Sequence, residues 1–402
     1  MLQFHLNKFI KKHITKRSVS YFLSDIESNK EKLSAEINGK KILVIGGAGT
    51  IGSSFVKAIL PFRPSSLVVV DYSENGLTEL TRDLRSQDIY MPDEYITYPF
   101  DFGGSVFEKM YRGRNFDIVA CFAAHKHVRS EKDHLAIEAM VNNNVFNTKN
   151  LIDLALEYPP SHFFSVSTDK ATNPVNIMGA SKKLMENVLM AHSKTLKIST
   201  ARFANVAFSN GSLCAGFIER IMKRQPLSAP SDVKRYFVSP EESGQLCMLA
   251  CLLGETSDIF FPKLYESQML TFSAIAEKFL EEIGLDVQYC SSEDEAKTIA
   301  KNWSHGDSSY PVYFFKTDTS GEKLFEEFFT KEDTLDMDSF SALGIVKFNE
   351  LPDVNNVNKT IEDFKQLFSS TDLVKSKVVS LISSTLSDFK HIETGKSLDQ
   401  KM

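Results

Sequence analysis

Residues 40–60 place a glycine-rich break between two apolar runs of different period: "KKILVI", then "GGAGTIG", then "SSFVKAIL". The first run suits a buried strand, the glycines a tight turn and the last a helix. The unit then repeats. "SLVVVD" (Ser66 to Asp71) predicts a second buried strand, "ENGLTELTRDLRS" a helix, "YITYPFD" a third strand and "FDIVACFAA" a fourth. Strands are also expected at "HFFSVST" (His162 to Thr168) and "KISTARFANV", after helices around Val145 to Leu156 and Ser181 to His192. Strands alternating with helices build a parallel sheet, and ligands of such sheets gather beyond the carboxyl ends of the strands. The glycine turn, "FAAHKHV", "STDK" and "RFANV" all fall at such ends.

The expected fold class is α/β: a Rossmann-type doubly wound parallel sheet over 40–205, a smaller mixed α/β substrate lobe over 206–330 with room to exchange segments with that sheet's domain, and helical terminal extensions over 1–39 and 331–402. Gly47, Gly49 and Gly52 form GxGxxG directly after a strand and at the start of a helix. That context fits a dinucleotide, because the glycines let the backbone approach a pyrophosphate and the first helical N–H groups are free to bind it. Gly46, Thr50 and Ile51 complete the turn, and Ala123 and Ala124 end the fourth strand beside it. Asp71 ends the second strand, where a carboxylate accepts from the adenosine ribose and repels a 2′-phosphate. NAD is therefore the expected cofactor. Asp101, at the end of the third strand, either bonds the adenine amino group or caps a helix.

The bulk properties exclude other classes. A formal charge of -6 in 402 residues argues against nucleic acid as a partner. Cysteines at 121, 214, 247, 251 and 290 form no CxxC pair, which suggests neither a disulfide framework nor a metal site and fits a cytoplasmic protein. The longest apolar runs, such as "LCMLACLL", are too short for a membrane span and suit a buried helix. The first 22 residues carry five Lys or Arg and no acid, at roughly helical spacing, without the apolar core of a secretory signal. Packing on the protein's own body or on a second subunit is favoured over an anionic membrane surface.

"STDKATNPVNIMGASKK" (Ser167 to Lys183) sets Met178 four residues before Lys182, where many nicotinamide enzymes hold a tyrosine. A thioether takes no proton, so acid–base work must fall to other groups. Together with "GGAGTIG", "AAHKHV", "RFANVAFSNGS" and "KRYFVSPEES", this segment resembles the extended short-chain dehydrogenase/reductases, and among them the UDP-N-acetylglucosamine 4,6-dehydratases of polysaccharide biosynthesis, in a branch with methionine for tyrosine. The resemblance implies oxidation at sugar C4, loss of water across C5 and C6, and return of the hydride to C6. It implies Asp169 as acid toward the 6-hydroxyl, Lys170 as base at C5, and Lys182 on the nicotinamide ribose as a cation that lowers nearby pKa values. Thr168 is placed to bond the C4 oxygen, with Asp169 as the final proton acceptor. Lys170 must be largely neutral to act as a base, and burial beside Lys182 or an oxidised nicotinamide is expected to depress it. Met178 is expected to shape the pocket floor, and the branch implies retention at C5.

By position in the same resemblance, Arg235 and Asn205 would contact the substrate diphosphate; Lys126, on a loop that approaches the cofactor, is read as a further substrate-binding residue. Arg202 either joins them or pairs within the fold, and His127 is read as structural. "DIFFPKL" and "TDTSGEKLFEEFF" either line the base-binding region or belong to the core. A homo-oligomer is implied. A 4-epimerase, a GDP-N-acetylglucosamine dehydratase and a non-catalytic NAD-binding regulator remain as alternatives.

Overall fold

The computed structural model describes residues 4–348 and 350–396. Its main sheet takes in nine strands: β1 (Lys41–Ile45), β2 (Ser66–Asp71), β3 (Glu94–Pro99), β4 (Ile118–Cys121), β5 (His162–Val166), β6 (Ile198–Ala201), β7 (Asp258–Pro262), β8 (Thr334–Asp336) and β9 (Leu343–Lys347). Their order is β8-β9-β7-β6-β5-β4-β1-β2-β3. The seven strands from β3 to β7 run parallel, and β9 and β8 close that edge antiparallel. The order reverses between β1 and β4, so the crevice beyond Ile45 and Cys121 is the switch point where such folds bind ligands.

Continuous apolar strands are buried on both faces, as β2 and β5 are along their whole length. Helix Pro240–Leu253, which contains "LCMLACLL", covers the sheet and meets helix Thr50–Ile59 closely. A Cβ at Gly244 would fall on the Ser54 backbone, so only glycine permits that approach.

The smaller lobe packs helices Leu213–Met222 and Phe272–Glu282 on a three-stranded sheet of Leu227–Pro230, Ser309–Phe315 and Asp286–Tyr289. Its core contains Phe208, Phe217, Phe279 and Tyr310. The N-terminal segment docks here: Phe9 meets Phe208 and Phe279 edge-on, Lys12 and His13 hold Glu282, and Arg17 grips Glu242 with two bonds of 2.8 Å. Its helix spans only Leu6–Ile14, the last turn being π-helical. The segment thus packs on the protein's own body.

One expectation differs from the structure. The stretch 331–402, read as helical, first supplies β8 and β9 and only then helices Val354–Phe368 and Lys375–Thr385. There the sheet recruits a late chain segment that local pattern assigns elsewhere. Helix Pro240–Leu253 and β7 fall within 206–330 and belong to the large sheet's layers, an exchange of segments for which the sequence left room. No helix among the described residues is long and apolar enough to cross a membrane.

Candidate active site

The glycine turn is built for close approach. Gly46 has a φ of +73°, and a Cβ there would meet the Ala123 backbone. Cβ atoms at Gly47 and Gly52 would strike Val69 and the Gly46 carbonyl. Helix Thr50–Ile59 begins at Gly49, which leaves the amides of Thr50, Ile51 and Gly52 without intrahelical acceptors. The buried Asp71 carboxylate ties this turn to β2, accepting from Ala48 N at 3.0 Å and Ser73 N at 2.9 Å. A carboxylate has about four acceptor positions, so room for a ribose hydroxyl is left. Asp101 accepts from Gly103 N at 2.9 Å in a local turn, while helix Ser105–Arg112 is capped by Gly104.

Beyond β4, Ala123 and Ala124 lead into a loop pinned by the buried Asn144, whose Oδ1 accepts from His125 N at 2.8 Å and whose Nδ2 donates to Ser181 Oγ at 2.9 Å. Lys126 Nζ donates to the Asn210 carbonyl at 3.0 Å, and the His127 ring is exposed beside Gly211. Thr50 Oγ1 accepts from Asn210 N at 2.9 Å, so this loop also meets the glycine turn.

Thr168, Asp169 and Lys170 follow β5 in a 3-10 turn capped by Thr168. One oxygen of Asp169 accepts from both Thr168 Oγ1 (2.9 Å) and Lys170 Nζ (3.0 Å). Asp169 is 2% exposed. Lys170 Nζ also lies 3.5 Å from Glu326 Oε1. Burial works against the Lys170 charge, but Asp169 and Glu326 outweigh it and Arg235 only partly opposes them, so its pKa is raised. The expected depression by Lys182 is therefore corrected: in this arrangement Lys170 is a paired ammonium.

Helix Ile177–Ala191 carries Met178 and Lys182 one turn apart, both buried. Asn176 caps it, and Glu131 accepts from Met178 N at 2.9 Å. Lys182 Nζ lies 3.0 Å from the Met185 sulfur, and burial pulls its pKa down to about 8. Lys182 therefore stays mostly a cation at neutral pH and loses its charge just above it.

Arg202 pairs inside the fold. Its guanidinium holds the fully buried Glu186 at 3.0 and 2.8 Å and donates to the Phe328 carbonyl at 2.8 Å. Arg235, 4% exposed, donates to the Lys234 and Leu324 carbonyls at 2.9 and 3.2 Å. Its other terminal nitrogen lies 3.6 Å from Glu326 and 3.7 Å from Glu322. Asn205 pairs through its backbone with Phe237 in the next short strand. The structure therefore brings Thr168, Asp169, Lys170 and Arg235 into one cluster. "DIFFPKL" supplies the buried β7, whereas "TDTSGEKLFEEFF" covers the cluster with Glu322 and Glu326.

The sequence reading missed Glu131, Asn144, Glu186, Glu322 and Glu326. Each acts through tertiary contact and sits in no motif, although the acids spaced among phenylalanines at 322–329 offered a signal.

The family model described as "Polysaccharide biosynthesis protein" matches residues 42–347, most of the chain and both lobes. The chain belongs to the polysaccharide biosynthesis protein family. In fold it is a Rossmann-type doubly wound sheet, as the strand order shows. Within this family it is 32% identical over 335 residues to an uncharacterized membrane protein of Methanocaldococcus jannaschii, covering 81% of this chain and 91% of that one. It is 31% identical to the capsular polysaccharide biosynthesis protein CapD of Staphylococcus aureus, covering 58% of this chain and 40% of CapD. A UDP-N-acetylglucosamine 4,6-dehydratase (inverting) of Campylobacter jejuni is 27% identical over 56% of this chain and 68% of its own. The Pen protein of Bacillus thuringiensis superposes with a TM-score of 0.62 at 20% identity, covering 78% of this chain and 88% of that one, a likeness of fold.

Proposed function

We propose that this chain is an NAD-dependent nucleotide-sugar 4,6-dehydratase acting on UDP-N-acetylglucosamine. The observation that carries the reading is the acid and amine, Asp169 and Lys170, set 3.0 Å apart beside Thr168 at the carboxyl end of β5, with the buried Arg235 near them. The Campylobacter dehydratase relative supports it.

The glycine cradle fits a dinucleotide, with Gly46, Gly47 and Gly52 letting the turn pack tightly against β2 and the end of β4 at the head of its helix, and Asp71 at the ribose end. When bound, NAD would supply the acceptor for two electrons from the C4 carbinol and give them back at C6. The chain's residues would handle the protons. The C4 hydroxyl proton passes through the Thr168 hydroxyl to Asp169, which later protonates the departing 6-hydroxyl. Lys170, once neutral, takes the C5 proton made acidic by the C4 ketone, and its ammonium protonates C5 again as the 6-methyl group forms. Lys182 holds the nicotinamide ribose, and Met178 fills the tyrosine position as an apolar wall. Arg235 and Asn205 orient the diphosphate.

Retention at C5 follows the methionine branch, although the Campylobacter relative is named as inverting, so the two are expected to give opposite C5 configurations. A 4-epimerase is the second reading, favoured by a UDP-glucose 4-epimerase of Rickettsia canadensis at 29% identity over 61% of this chain. An epimerase has no use for an acid and base aimed at C6 and C5. Proton NMR of the product in deuterated water separates dehydration from epimerisation: deuterium at C5 with a 6-methyl signal supports dehydration, and an intact C6 carbinol refutes it.

A further inference from the structure

One buried carboxylate has no task in this scheme. Glu326 is 4% exposed, and its Oε2 has no hydrogen-bond partner. Its Oε1 lies 3.5 Å from Lys170 Nζ and 3.6 Å from Arg235. Facing it are Lys170 and Asp169 from the turn after β5, Arg235 from the short strand Lys234–Arg235, and Lys323 on its own segment; Glu322 shares Arg235. A buried orphan oxygen is costly unless it serves a purpose. The ammonium of Lys170 poses the matching problem, since a base must first lose its proton and this pocket holds that proton in place.

We propose that Glu326 makes Lys170 a base by accepting its proton when a nucleoside diphosphate engages Arg235. The inference deepens the proposed function and rests on it. One N–H bond breaks at Nζ and one O–H bond forms at Oε1, an ammonium and a carboxylate becoming an amine and an acid, with no change in net charge. The present contact is long for a hydrogen bond, and closing it takes a movement of roughly half an ångström. Phosphate charge on Arg235 weakens that cation's hold on Glu326 and so raises the carboxylate's proton affinity. The environment already leans this way: burial and Asp169 push the Glu326 pKa up, and Lys170, Arg235 and Lys323 counter them only in part.

An internal transfer at constant net charge leaves its mark on the pH profile. Wild-type kcat should be nearly flat across neutral pH. In Glu326→Gln the lysine must release its proton to water, so kcat should fall about 10²-fold at neutral pH and climb about tenfold per pH unit on the alkaline side. A structural role alone would lower kcat without changing the profile's shape, and urea unfolding checks that the variant folds. A second readout needs no turnover: UDP added to the full-length wild type should raise the infrared carbonyl stretch of a protonated carboxyl, absent in Glu326→Gln. UDP binding with no such band overturns the transfer and leaves the dehydratase reading intact. A band without any dehydration by the wild type overturns the dehydratase reading alone, and failure of UDP to bind overturns both. If Glu326→Gln only tightens UDP binding and keeps the wild-type profile, the carboxylate is a competitor for Arg235 and the inference is wrong.

Discussion

Asp169 receives two hydrogen bonds on one oxygen, from the hydroxyl before it and the ammonium after it. That geometry lets one carboxyl take a proton through Thr168 and give it elsewhere, which a methionine at 178 cannot do. Replacing Asp169 by Asn keeps the shape and removes the basic oxygen. We expect kcat to fall by about 10²- to 10⁴-fold with NAD binding unchanged; near-normal turnover in a variant that still quenches on NAD would remove Asp169 from the chemistry. These residues were legible in the sequence because the turn after β5 packs them within a few positions. Glu326 was not, because only the fold lays a late, irregular segment over that turn. The sequence also suggested that Lys182 would depress Lys170. The two carboxylates that do the reverse are Asp169 and Glu326, the second from that late segment.

Helix Ile177–Ala191 is fastened by a buried ion pair. Glu186 sits at 0% exposure, held by Arg202 and by Ser167 Oγ at 2.6 Å, so β5, β6 and the helix meet at one carboxylate. Removing Arg202 would strand that charge. Arg202→Met should cost about 3–5 kcal/mol in urea unfolding at neutral pH, whereas a loss below about 1 kcal/mol would mean the pair is dispensable. The pH dependence has a definite sign. Burial would raise the Glu186 pKa, but Arg202, Lys183 and Ser167 outweigh it and the net shift is downward. Its stabilisation is therefore complete above the ordinary carboxylate pKa of about 4.3 and is lost as pH falls through the lower folded value. Glu186→Gln should show a shallower acid loss of stability than wild type. Helix and strand positions were readable from period alone, but Arg202 was left between substrate and fold, since an arginine after a strand serves either use.

At the scale of the whole molecule, an early segment and a late one are both built into the body. Phe9, Ile10 and Ile14 complete the small lobe's core, and β8 and β9 extend the large sheet. Phe9→Ala should lower stability by about 3–5 kcal/mol, and a shift in the denaturant midpoint within error would show that the segment merely rests on the surface. The parallel core was legible because each strand and its crossover helix carry their own period. The late strands were not, since "KEDTLDMDSF" reads as an acidic linker and antiparallel edge strands need no crossover. From these layers the glycine turn, the Asp169–Lys170 pair and Arg235 come to one end of one sheet. Mass spectrometry of UDP-N-acetylglucosamine incubated with the full chain and NAD tests that arrangement most directly. The expected product is lighter than the substrate by one water, whereas a product of unchanged mass, formed at the rate of substrate loss, would contradict it.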